Sequence, residues 1–122
     1  EAPAVPAVIF TEPELAAVGA SEEDLRGQGV AYRKALVPLA VSGRFAVECP
    51  GAAGTVKVLA GAGDGRLLGV HVLGGPAGEM IGAACAMVAQ KMTAAQAAAV
   101  VVPHPTVGEA LKAALERLAA AG

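Results

Sequence analysis

The sequence predicts an α+β domain in which an antiparallel sheet carries helices packed on one face. Three observations point there. Short apolar runs separated by glycine- and proline-rich breaks fill residues 7–74, whereas helical spacing of apolar residues dominates from Ala77 onward. Two of the runs, Gly54–Ala60 and Arg66–Gly74, alternate as strands do and flank the turn-forming stretch Gly61-Ala62-Gly63-Asp64-Gly65, so they are expected to pair as a hairpin. Three helix openings are spelled out as caps: Ser21 with Asp24, Thr93 with Gln96, and Thr106 with Glu109.

In chain order, residues 1–6 contain two prolines and no periodicity and read as an extended linker. Ala7–Phe10 is a continuous apolar run suited to a buried strand. Thr11-Glu12-Pro13-Glu14 breaks it, and Leu15–Val18 resumes extended structure before Gly19. Ser21 then opens a short helix with Glu22, Glu23 and Asp24 in the electropositive first turn, and Gly27 and Gly29 end it. Val30–Leu39 has strand character, with Pro38 requiring an edge position or a strand end. Val41–Gly54 reads as irregular, and Gly74-Gly75-Pro76 closes the sheet after the hairpin. Ala77–Lys91 is a long helix with Met80, Ile81, Ala84, Met87 and Val88 at helical spacing, and Gly82 and its alanines would admit a close neighbour. A short helix runs from Thr93 and fades near Ala99. The last, from Val107 to about Ala120, should bury Leu111, Leu115 and Leu118 and turn Lys112 and Glu116 to solvent. Nothing repeats and no linker interrupts the pattern, so residues 1–122 are expected to form one domain.

Hydrophobic residues make up 55% of the chain and there are 16 glycines, a total well above the roughly 45–50% of ordinary soluble domains. Such an excess predicts burial against neighbouring domains or a second copy, a homodimer being the commonest arrangement. A net charge of −2 without any Lys/Arg cluster argues against nucleic acid. The most apolar region, Ala77–Val102, is interrupted by Glu79, Gln90, Lys91 and Gln96, which suits helix packing rather than a membrane span. Cys49 and Cys85 have neither C-x-x-C nor zinc-ligand spacing, so no metal site is expected and the thiols should be wholly or partly buried, as in a reducing cytoplasm. The chain starts at Glu1 and its first methionine is Met80, which suggests a piece of a longer polypeptide. The glycines of residues 61–65 lack the lysine and serine/threonine of a phosphate loop. His71, alone between Val70 and Val72, is expected to be structural.

One stretch carries chemistry. Val100–Glu109 places His104 between Pro103 and Pro105, with a carboxylate five residues later. Each proline fixes its own φ and keeps the residue before it extended, so His104 should stand on a stiff segment ahead of the last helix. An imidazole titrates near neutrality, and a carboxylate on one ring nitrogen fixes the tautomer and makes the other more basic. Those are the parts of a general base. Thr106 and Glu109 also fit a capping box, and a two-oxygen carboxylate can serve backbone and imidazole together.

In sequence order, the chain resembles one family over nearly its whole length. Ile9-Phe10-Thr11-Glu12-Pro13-Glu14-Leu15-Ala16-Ala17-Val18-Gly19, Glu22, Gly54 to Lys57, Leu68-Gly69-Val70-His71, Ala77-Gly78-Glu79-Met80-Ile81 and His104-Pro105-Thr106-Val107-Gly108-Glu109 are similar to the successive motifs of the C-terminal dimerisation domain of the flavin-dependent pyridine nucleotide-disulfide oxidoreductases. The resemblance implies a homodimer that uses FAD and NAD bound by other domains of the parent enzyme, with nothing bound by this domain alone. It implies that His104 is a general base toward a redox dithiol in the partner's active site and that Glu109 orients it. It also implies that the backbone of His104 and Pro105 approaches the partner's flavin and that the His104–Pro105 bond is cis. Within the family the Pro-Glu-x-Ala opening favours the dihydrolipoamide-oxidising branch, whose members also dock the subunit-binding domain of a 2-oxo acid dehydrogenase acyltransferase. Mercuric- and glutathione-reductase-like branches are alternatives, the former departing by tyrosine at the base position and a terminal cysteine pair. A module that only dimerises or docks is another. Two residues depart from the family pattern: Gly108 replaces the usual serine, and Val102-Pro103 replaces the His-Ala that often precedes the motif. The redox cysteine pair is absent from the sequence, so the chain alone should not turn over substrate.

Overall fold

Alternation in the hairpin is the feature from which the architecture grows. The computed structural model describes residues 4–121, and in it Thr55–Gly61 (β4) and Leu67–Leu73 (β5) pair antiparallel at the centre of a five-stranded sheet. Tyr32–Pro38 (β3) pairs with the outer side of β4, Leu15–Gly19 (β2) with β5, and Ala7–Ile9 (β1) with β2, giving the antiparallel order β1-β2-β5-β4-β3. Pro38 sits at the end of edge strand β3, where no ladder bond is lost.

The register sorts side chains onto two faces. Ala16, Val72, Val56 and Val37 form one row, Val18, Val70, Val58 and Ala35 the next, and all eight are buried. Onto this face pack Ala77–Ala89 (α3), against β2 and β5, and Glu109–Ala121 (α5), against β3 and β4. Met80, Ile81, Ala84 and Met87 from α3 and Leu111, Leu115 and Leu118 from α5 complete the core. Ala94–Ala98 (α4) lies on α5. Burying a leucine or valine side chain contributes roughly 1.5–3 kcal/mol, so this single layer of apolar contact dominates the stability.

The second face is more polar. Glu22–Gly27 (α1) covers one corner of it, and Glu22 there receives the ammonium groups of Lys57 at 3.0 Å and Lys34 at 3.3 Å and the Tyr32 hydroxyl at 2.9 Å. Lys57, then Tyr32 and Lys34, hold the Glu22 carboxyl down at about 2. His71 lies on the same face, its Nε2–H donating to the Ala20 carbonyl at 3.0 Å. Gly69 is needed beside it, because a Cβ there would stand 2.1 Å from the Ala20 oxygen.

The Ser21–Asp24 and Thr93–Gln96 capping boxes are both formed. Elsewhere the structure departs from expectation. Ala7–Ile9 is a strand but a largely exposed one, with Ile9 and Phe10 open to solvent, because it occupies the sheet edge. The stretch expected to be irregular contains a helix, Gly43–Glu48 (α2), whose single buried side chain is Phe45, and a 3-10 turn, Leu39–Val41, leads into it from the end of the expected strand. The last helix starts at Glu109 rather than Val107. Lys112 does not run free into solvent but donates to the Val100 carbonyl at 2.9 Å. Cys49 and Cys85 are half-buried and unbridged. Among the described residues no helix is long and apolar enough to cross a membrane, and no three His, Cys, Asp or Glu side chains gather as a metal site. The linker reading for residues 1–3 lies outside the described residues; residues 4–6 form no regular element.

Candidate functional site

Between α4 and α5 the chain runs without regular structure through residues 99–108, and its proline-bounded turn presents His104 at the surface, its side chain 82% exposed. Glu109, the first residue of α5, reaches back to it: both carboxylate oxygens lie 2.9 Å from His104 Nδ1. Oε1 also accepts the Thr106 backbone N–H at 2.9 Å. These bonds, His104 first and then the Thr106 amide, hold the Glu109 carboxyl below the usual carboxylate range. An ionised carboxylate only accepts, so Nδ1 carries a proton and Nε2 is left as the acceptor of the neutral ring. Nε2 has no hydrogen bond among the described residues. The sequence-predicted pair is therefore brought together, and the His104–Pro105 bond is cis.

The capping box expected at Thr106 is only half made. Glu109 takes the Thr106 amide, but the Thr106 hydroxyl turns away and donates to the Pro103 carbonyl at 2.7 Å. It does not cap α5, because the Glu109 N–H that a full box would give to the hydroxyl goes instead to the Thr106 carbonyl at 3.3 Å. Gly108 is not required by space. A Cβ there would meet nothing nearer than the Thr106 hydroxyl at 3.7 Å, so the serine usual in the family pattern would fit.

Two polar residues that sequence reasoning did not single out support this region. Glu14 caps α3, its Oε1 accepting the Gly78 N–H at 3.0 Å across 64 residues. Ser42 is the one buried polar residue among those described, and its hydroxyl donates to the Thr106 carbonyl at 2.8 Å. The local signal for Ser42 was its place as a helix cap before Gly43, which the lack of apolar period behind it concealed. Beside the loop, α2, α3 and α5 enclose an apolar groove of about 460 Å³, lined by Met80, Ala83, Met87, Val102 and Pro105 with Arg44 and Glu79.

The site is thus an exposed imidazole locked to a carboxylate, with its second ring nitrogen open at the surface of a sheet-and-helix fold. Residues 5–115 match the model of the pyridine nucleotide-disulphide oxidoreductase dimerisation domain, and the chain belongs to that family. It is 43% identical over 108 residues to the mitochondrial dihydrolipoyl dehydrogenase of Caenorhabditis elegans, a match covering 88% of this chain and 22% of that protein. With the dihydrolipoyl dehydrogenase of Thermus scotoductus it shares 40% over 114 residues, 93% of this chain and 24% of that one. The crystal structure of LpdA from Mycobacterium tuberculosis superposes with a TM-score of 0.85 at 28% identity, covering 93% of this chain and 25% of LpdA. The chain thus spans less than a quarter of the length of these curated relatives.

Proposed function

We propose that this chain is the C-terminal dimerisation part of a longer FAD- and NAD-dependent dihydrolipoamide dehydrogenase, and that in the homodimer His104 is the general base toward the dithiol beside the partner subunit's FAD. The observation that carries the reading is the 2.9 Å contact of His104 Nδ1 with Glu109, which leaves Nε2 open at the surface. A thiol with an ordinary pKa near 8.5 is mostly protonated at neutral pH, and only its thiolate attacks a disulfide. Nε2 would take the S–H proton and leave the electron pair on sulfur, while Glu109 stabilises the imidazolium that results.

The residues present fit an approach to flavin. The His104 and Pro105 carbonyl oxygens accept no hydrogen bond among the described residues and remain available to a donor. A flavin bound by other domains of the parent would supply the electron-pair transfer between dithiol and nicotinamide. Dimer formation accords with the apolar groove beside α3, and the branch assignment follows the names of the relatives. Docking of an acyltransferase's subunit-binding domain belongs to the same reading. So does a reducing compartment, which we take to be the cytoplasm, although several relatives are named as mitochondrial.

The test is His104→Gln in the intact parent enzyme. Loss of a general base lowers NADH:lipoamide turnover by about 10²- to 10⁴-fold. An unaltered rate would leave a domain that dimerises or docks without touching the chemistry. The chain by itself is expected to show no turnover, and any activity of the pure domain would refute the assignment of the chemistry to a shared site.

A further inference from the structure

We propose that Ser42 is a positioning residue, a buried latch that fixes the His104–Glu109 loop to the body of the domain. The importance of that loop rests on the reading above, but the latch itself stands on geometry. Ser42 lies between the 3-10 turn and α2 with 1% of its surface exposed. Its oxygen accepts the Phe45 N–H at 3.2 Å, capping α2, and its proton goes to the Thr106 carbonyl at 2.8 Å. A hydroxyl has one donor and two acceptor positions, so one side chain fills both roles.

Thr106 is gripped on both sides of its backbone: its N–H by Glu109 and its carbonyl by Ser42. The remaining hydrogen bonds of the loop come from within it or from the helices it joins. Lys112 of α5 holds Val100, the Thr106 hydroxyl holds Pro103, and Val100 N–H reaches Ala97 of α4. Among the described residues Ser42 alone ties the loop by a hydrogen bond to another part of the chain, 64 residues away. The loop and α2 form two walls of the apolar groove, with Arg44 and Glu48 on one and Pro103 and Pro105 on the other, and Ser42 supplies the hydrogen bond between those walls. Without it the Thr106 carbonyl would keep only the longer 3.3 Å bond from the Glu109 N–H, and the segment that keeps the Glu109 carboxylate against His104 would be held only from within itself and from its own ends.

The experiment is NMR on this chain, following the Glu109 carboxyl titration and the exchange of the Thr106 amide. In Ser42→Ala the Glu109 titration should rise toward the ordinary value of 4.5, and Thr106 exchange should quicken by roughly five-fold, the worth of one net hydrogen bond. Ser42→Thr, which keeps the hydroxyl, should restore both. Ala46→Gly weakens α2 through helix propensity but spares the latch, and both readings should stay native. A Glu109 titration unmoved in Ser42→Ala, or moved equally by Ala46→Gly, would overturn the proposal. If Ser42→Ala does not fold, Ser42→Cys keeps the shape with a weak donor, and the same directions decide. A latch confirmed in this way alongside an unaltered rate for His104→Gln in the parent would count against the base and leave the latch standing.

Discussion

The chain has two histidines, and the hairpin that holds one differs from the loop that holds the other in the only respect that matters to a base. His71 is half-buried in β5 and spends Nε2 on the Ala20 carbonyl, so that nitrogen offers nothing to a substrate. His104 stands on an irregular segment, spends Nδ1 on a carboxylate and leaves Nε2 open. Residue type is identical. Reactive capacity follows from which nitrogen the fold has already used and whether the partner bears a charge.

The largest expected effect separates the two directly. In the intact parent, His104→Gln should cost about 10²- to 10⁴-fold in turnover, whereas His71→Leu should leave turnover within a few-fold. Comparable losses from both substitutions would erase the distinction. Next comes the scaffold of the hairpin histidine. Gly69→Ala forces a Cβ to within 2.1 Å of the Ala20 oxygen that His71 binds, and backbone there cannot step aside cheaply. A loss of about 1–3 kcal/mol is expected, read as a lowered denaturation midpoint at unchanged m-value. His71→Leu itself should cost about 1 kcal/mol, the net value of the bond to Ala20, in the same measurement.

The smallest effect is a pH dependence on the polar sheet face. Glu22 is held at about 2 in the folded chain against 4.5 without its partners. Its contribution is therefore present in full above pH 4.5 and disappears as the pH falls through about 2. Urea titrations should show stability declining across that window, with the decline reduced in Glu22→Gln. Glu109 acts in the same sense, since its carboxyl is also lowered, by His104 and the Thr106 amide. An identical acid profile in Glu22→Gln would show that the ammonium contacts of Lys57 and Lys34 contribute nothing.

What the sequence made legible was local. The hairpin alternates residue by residue, the Ser21–Asp24 and Thr93–Gln96 boxes lie within a span of four residues, and His104 and Glu109 are five apart. What escaped was set by distant neighbours or by weak periodicity. α2 was hidden because one buried side chain, Phe45, gives six residues no apolar rhythm. The exposure of Ile9 and Phe10 depends on β1 being an edge, which an apolar run cannot announce. Thr106 reads as the first half of a box because the turn that hands the Glu109 N–H to the Thr106 carbonyl, and the hydroxyl to Pro103, is visible only once the loop has formed. The ties of Glu14 to Gly78 and Ser42 to Thr106 each span 64 residues, beyond any local signature.

Glu109 is at once the partner of the imidazole and the first residue of α5, and Leu111, Leu115 and Leu118 of that helix are sunk in the core. The carboxylate is thus the tip of a lever whose fulcrum is hydrocarbon. A shift of the helix along β3 and β4 is delivered to the ring as a change of aim, so the geometry of the surface imidazole–carboxylate pair is machined into apolar packing several residues away. Substitutions that merely loosen the seating of Leu115 would misalign the pair with every polar group of the site still in place.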